Sequence, residues 1–84
     1  MKVSMNCYNI DNVSVVMLEL ENIGYEFSDV ANGVWVRVDT EEMEFCFLSR
    51  FHTFDHTFKD YDLKSFIDYL TQVNKKIDAH QQKS

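Results

Sequence analysis

Residues 25–48 read Tyr25-Glu26-Phe27-Ser28-Asp29-Val30-Ala31-Asn32-Gly33-Val34-Trp35-Val36-Arg37-Val38-Asp39-Thr40-Glu41-Glu42-Met43-Glu44-Phe45-Cys46-Phe47-Leu48. Apolar residues here recur every second position, the period of a strand with one buried face. Asn32-Gly33 is the strongest short hairpin signal, because a tight two-residue loop needs positive φ at both positions. That loop predicts Ala31 opposite Val34, Asp29 opposite Val36 and Phe27 opposite Val38. A four-residue loop, Asp39-Thr40-Glu41-Glu42, then predicts Val38 opposite Met43, Val36 opposite Phe45 and Val34 opposite Phe47. It also sets Arg37 opposite Glu44 and Trp35 opposite Cys46. One face collects Phe27, Val34, Val36, Val38, Met43, Phe45 and Phe47, with Asp29 the misfit among them. A slip by one residue would bury Arg37 and Glu44 instead, so the face assignment is strongly determined.

On either side of this stretch the period is helical. Val13, Val16, Met17, Leu20 and Ile23 lie on one helix face, with Asp11 or Asn12 as N-cap and Gly24 placed for a left-handed C-terminal residue. Leu63, Phe66, Ile67, Leu70, Val73 and Ile77 define a second helix, opened by Asp60 or Asp62 and ending near Lys75 and Lys76, where positive charge suits the dipole. The fold expected is α+β: helix, three-stranded antiparallel meander, helix (αβββα), with both helices on the apolar sheet face. Val3, Met5 and Cys7 alternate as a short N-terminal edge strand would. Residues 1–80 are expected to form a single domain, with 81–84 a frayed tail.

The chain has 84 residues, 45% hydrophobic and 14% aromatic, so its core is small but rich in rings. Fourteen acids against eight bases give a formal charge of −6. Lys2, Arg37, Arg50, Lys59, Lys64, Lys75, Lys76 and Lys83 form no stripe that could neutralise phosphates, so direct nucleic-acid binding is not expected. The opening residues lack the apolar run of a signal peptide, and no run reaches membrane-spanning length. Cys7 and Cys46 have no metal-ligand spacing and read as reduced thiols in a cytoplasmic protein.

The second sheet face carries the candidate site. Val30, Trp35, Cys46 and Leu48 share it with the Arg37–Glu44 pair, and a Trp-centred apolar patch is a frequent interface. Internal cover is the competing reading, from residues 1–10 or from the aromatic stretch after Arg50 with Phe51, Phe54 and Phe58. Asp39, Glu41 and Glu42 crowd the second loop, with Glu44 just beyond; three acids at a loop tip suit a basic partner, and also suit plain solvation.

Catalytic and metal chemistry find little support. His52 and His56, in a repeated His-Thr-Phe, would share a face if helical, with Asp55, Asp60 or Cys46 to complete a site. Yet no Glu follows His52 as a zinc-protease pattern requires, and no paired-cysteine motif exists. Cys46 sits mid-strand with nothing to lower its pKa. Asp60-Tyr61-Asp62 lacks the glycine and terminal acid of a calcium loop, and two glycines cannot build a phosphate cradle. No cofactor, metal or catalytic residue is expected.

In size, charge and predicted element order the chain is similar to small acidic inhibitors encoded by phages and mobile elements, some anti-CRISPR proteins among them, and to some antitoxin or immunity proteins. That likeness implies a non-catalytic protein that occupies a surface of a basic or nucleic-acid-binding partner. A module that homodimerises through the open sheet face is the alternative from a different class.

Overall fold

The computed structural model describes residues 1–29, 33–50 and 54–83, and for Asp29 and residues 76–83 the backbone alone. Along the chain run strand β1 (Lys2–Asn6), helix α1 (Ile10–Asn22), strands β2 (Glu26–Asp29), β3 (Trp35–Asp39), β4 (Glu44–Leu48) and β5 (His56–Phe58), and helix α2 (Leu63–Lys83). The protein is α+β, with two helices and a five-stranded mixed sheet of order β2-β4-β3-β1-β5. The αβββα order is thus corrected: a strand precedes the first helix, and a fifth strand forms from His56–Phe58.

The N-terminal strand is not an edge. It pairs antiparallel with β3 (Val3↔Val38, Met5↔Val36) and parallel with β5 (Val3↔His56, Met5↔Phe58). Val3 and Met5 are fully buried, and burying two such side chains is worth about 3–6 kcal/mol. With β1 on one side and β4 on the other, β3 has no edge left for β2. The predicted Asn32-Gly33 hairpin therefore does not form: β2 pairs in parallel with β4 (Glu26↔Glu44, Phe27↔Phe45, Asp29↔Cys46), with a bulge between Phe27 and Asp29. The competition has a plain physical outcome. Glu26, Ser28 and Asp29 suit an edge, where charge discourages further pairing, whereas Val3 and Met5 suit the interior. Parallel strands cannot be joined by a tight turn; here β3 lies in sequence between β2 and β4, and α1 carries the chain from β1 to β2 at the sheet edge. The pairing predicted for Ala31 lies outside the described residues.

Gly33 has a different purpose from the one its turn signal implied. A Cβ there would run into the Leu48 carbonyl and the Ser49 nitrogen, so only glycine lets the chain pass the end of β4.

The β3–β4 hairpin does form, shifted by two residues. Trp35 faces Leu48, Val36 faces Phe47, Arg37 faces Cys46, Val38 faces Phe45 and Asp39 faces Glu44. The cause is Asp39, whose Oδ1 accepts from the Glu41 and Glu42 amides at 3.0 and 3.3 Å. This holds Asp39 in the strand and moves the loop to residues 40–43, closed by Met43 at φ 57°. An even shift leaves every side chain on its predicted face. Arg37 opposite Glu44 and Trp35 opposite Cys46 are corrected; the division into faces stands.

Both helices cover one face. Val13, Val16 and Leu20 of α1 and Phe66 and Leu70 of α2 meet Val3, Met5, Val36, Val38, Phe45 and Phe47 in a single core. Phe58 packs edge-on against Phe66 at 5.6 Å, and His56 stacks on Tyr69 at 4.5 Å. The N-cap of α1 is Asn9, not Asp11 or Asn12: its Oδ1 accepts from the Asn12 amide at 3.0 Å, while Asn12 Nδ2 donates to the Cys7 carbonyl. At the other end Gly24 takes φ 100°, and the Gly24 and Tyr25 amides return to the Glu21 and Leu20 carbonyls, a Schellman ending with Tyr25 and Leu20 both buried beneath it. Asp62 opens α2 by accepting from the Ser65 amide and hydroxyl.

Candidate functional site

The sheet face turned away from the helices is organised in three rows. At one end Glu26, Glu44, Asp39 and Lys2 lie side by side on β2, β4, β3 and β1. The middle row is Cys46, Arg37, Ser4 and Thr57, and the third is Leu48, Trp35 and Asn6. Trp35, Leu48 and Arg37 are half-buried, Cys46 and Ser4 are buried, and Glu26 and Glu44 are exposed. Ser4 Oγ donates to Thr57 Oγ1 at 3.1 Å. Part of the cover comes from the chain itself: Phe54 is half-buried, and its amide donates to Thr57 Oγ1 on this face. Of residues 1–10, by contrast, Lys2–Asn6 lie within the sheet as β1, forming part of this face, and Ile10 opens α1. Val30 lies outside the described residues.

Electrostatically this face is uneven. Glu26, Glu44 and Asp39 are direct cross-strand neighbours of like charge, an arrangement that costs stability. Burial works to raise the Asp39 carboxyl, yet the Glu42 and Glu41 amides, the Met1 ammonium and Lys2 together hold it below the usual carboxylate value. Glu41 and Glu42 stand exposed just beyond, with Glu41 3.5 Å from the Met1 nitrogen. A cleft of about 550 Å³ opens at this end, lined by Met1, Lys2, Asp39, Glu41, Phe54 and Asp55. One row along, the Arg37 Nε is buried with no hydrogen-bond partner among the described residues. It faces Cys46 rather than the carboxylate expected of it, so the Arg37–Glu44 pair becomes a diagonal relation.

The remaining sequence candidates are dispersed. His56 lies on a strand with its ring on Tyr69, so helical spacing to His52 does not apply, and His52 lies outside the described residues. Among the described residues no group of three or more His, Cys, Asp or Glu is placed to hold a metal ion. The Cys7 thiol is pushed up to about 11 by burial, against the Val36 amide, and is a poor nucleophile at neutral pH. Cys46 lies on the other face from Cys7, and neither forms a disulfide. Among the described residues no helix is long and apolar enough to cross a membrane.

One surface was missed. Ile10, Val15 and Leu18 of α1 are exposed although large and apolar. The signal was available: α1 reads IDNVSVVMLELEN, with more apolar residues than one buried stripe requires. Compared with known proteins, the chain matches no family model, no curated protein and no solved structure.

Proposed function

We propose that the protein is a non-catalytic binding module that occupies a basic surface of a partner protein through the sheet face opposite its helices. The observation that carries this reading is the row Glu26–Glu44–Asp39 on the same sheet face as Trp35 and Leu48. Like charges set against one another across strands weaken a small fold, and a cationic partner would relieve that repulsion on binding. Trp35 and Leu48, four residues further along their strands, offer the part-exposed apolar contact that fixes position, while Glu41 and Glu42 extend the negative field past the edge. An inhibitor of a nucleic-acid-binding protein is the role this chemistry fits best. The likeness to phage-encoded inhibitors now stands on size and charge, since the αβββα order it also used is not the one the chain adopts.

Capture from extracts of the native host tests the reading. The expected result is a stoichiometric protein partner held by the wild type, released by moderate salt, and lost with both Trp35→Asp and the Glu26→Lys, Glu44→Lys double variant. Retention of the same partner by both variants would remove the sheet face from the account. Sedimentation of the pure wild type is expected to show a monomer; a stable dimer dissociated by Trp35→Asp would instead favour self-assembly through this face.

A further inference from the structure

Helix α1 uses only half of its apolar surface in the core. Val13, Val16 and Leu20 point inward, while Ile10, Val15 and Leu18 are 69%, 46% and 60% exposed. Single exposed hydrophobics are ordinary; Val15 and Leu18, three residues apart, are neighbours on the outer side of the helix. Between α1 and α2 runs a depression of about 490 Å³ lined by Glu19, Leu63, Lys64, Ile67 and Asp68. Val15 lies one turn before Glu19 on the same side of α1 and so borders the groove, while Leu18, three residues after Val15, lies next to it on the outer surface. Asp11, Val15, Leu18 and Asn22 follow i, i+4, i+7 and i+11, one stripe along the outer surface.

The charges decide the occupant. Helix α1 contains no basic residue, and its acids are Asp11, Glu19 and Glu21. Asp68 adds a further carboxylate across the groove, against Lys64 alone. A second copy laid antiparallel on this surface would bring the acids of one α1 against the acids of the other. An apolar floor with an almost wholly negative rim instead matches a helix that alternates an apolar stripe with Lys or Arg, the helix-in-groove mode of recognition.

We propose that Val15 and Leu18 of α1, with the adjoining α1–α2 groove, receive a cationic amphipathic helix of a partner protein. Its apolar stripe would rest on Val15, Leu18, Leu63 and Ile67, and its cations would meet Asp11, Glu19 and Asp68. This surface lies on the helical side of the sheet, opposite the Trp35 face, and stands or falls independently of it.

The probe is a synthetic peptide of about five helical turns, Leu and Lys at amphipathic spacing, titrated into the full chain by amide NMR. Two controls share its length: the same composition scrambled, and Glu in place of Lys. The expected result is one-to-one binding, with shifts on amides of α1 and the first turns of α2 and affinity about tenfold or more above both controls. Leu18→Asp, an exposed substitution whose folding is checked by circular dichroism, should weaken binding by about tenfold, and Val15→Asp likewise. Trp35→Asp should change it by less than about twofold. Equal binding of the scrambled peptide, or shifts centred on the sheet face, would overturn the proposal. So would a wild-type dimer that Leu18→Asp dissociates, since the occupant would then be a second copy.

Discussion

The two faces of the sheet are built from alternate residues of the same strands, yet they are different materials. Toward the helices stand Val3, Met5, Val36, Val38, Phe45 and Phe47, all buried. Away from them stand Lys2, Ser4, Asn6, Trp35, Arg37, Asp39, Glu44, Cys46 and Leu48, of mixed polarity and mostly in reach of solvent. The contrast separates what holds the fold from what the fold presents. Stability comes from the first set through apolar area and ring packing. The second set tolerates like-charge neighbours and a guanidinium nitrogen with no hydrogen-bond partner among the described residues, features that stability alone does not favour.

The largest effects are expected on the helical side. Phe66 is fully buried against Phe58, and Phe66→Ala should cost about 3–5 kcal/mol in denaturant melts, enough to unfold much of a small domain. Trp35→Ala should cost about 1 kcal/mol, the ordinary price of a half-buried change. Equal losses would break the division between the faces.

Gly33→Ala comes next. The added carbon meets backbone atoms of Leu48 and Ser49, which cannot rotate aside, and the expected loss is about 1–3 kcal/mol. A neutral outcome would show that the approach of residue 33 to the end of β4 is not a constraint.

Alkaline pH gives a third expectation, carried chiefly by the helical side. Cys7 is pushed from 9.0 to about 11 by burial. Tyr25 is pushed from 10.0 to about 12, chiefly by burial, with its hydroxyl donated to Asn74 Oδ1 at 2.8 Å. Both keep their protons in the folded chain after the unfolded chain has lost them, so folding stability should be level below pH 9 and fall from there to about 12. Cys7→Ala combined with Tyr25→Phe should reduce that decline in melts taken across the range, leaving the part carried by Tyr8 and Tyr61, whose hydroxyls are also raised, by the hydrogen bond to Asp60 and by burial respectively.

The smallest effect has the opposite sign. Replacing the middle carboxylate, Glu44→Lys, turns two like-charge contacts into attractive ones and should stabilise by about 0.2–1 kcal/mol. A loss of stability would show that the acidic row is structurally required.

Much of this was legible in the residues. The period-two alternation placed each side chain of Val36–Val38 and Phe45–Leu48 on its correct face even though the register was two residues off, because pleat parity survives an even shift. Both helices, the Gly24 ending and Asp62 as a cap were readable from spacing and capping chemistry. The β2–β3 hairpin was not, since Asn32-Gly33 is a local signal and the pairing was settled by a competition at long range. Which strand takes the inside position beside β3 depends on Val3 and Met5, some thirty residues away, being more apolar than Glu26, Ser28 and Asp29. The acidic row was legible only in part: Asp39 and Glu44 stand close around the second loop, but Glu26 joins them only once β2 pairs with β4.

Denaturant melts and partner capture, run side by side on Glu44→Lys and Trp35→Asp, test the central claim most directly. Both variants are expected to stay folded, within about 1 kcal/mol of wild type or above it, while both lose the partner that the wild type retains. Variants that unfold, or that hold the partner as firmly as the wild type, would contradict it.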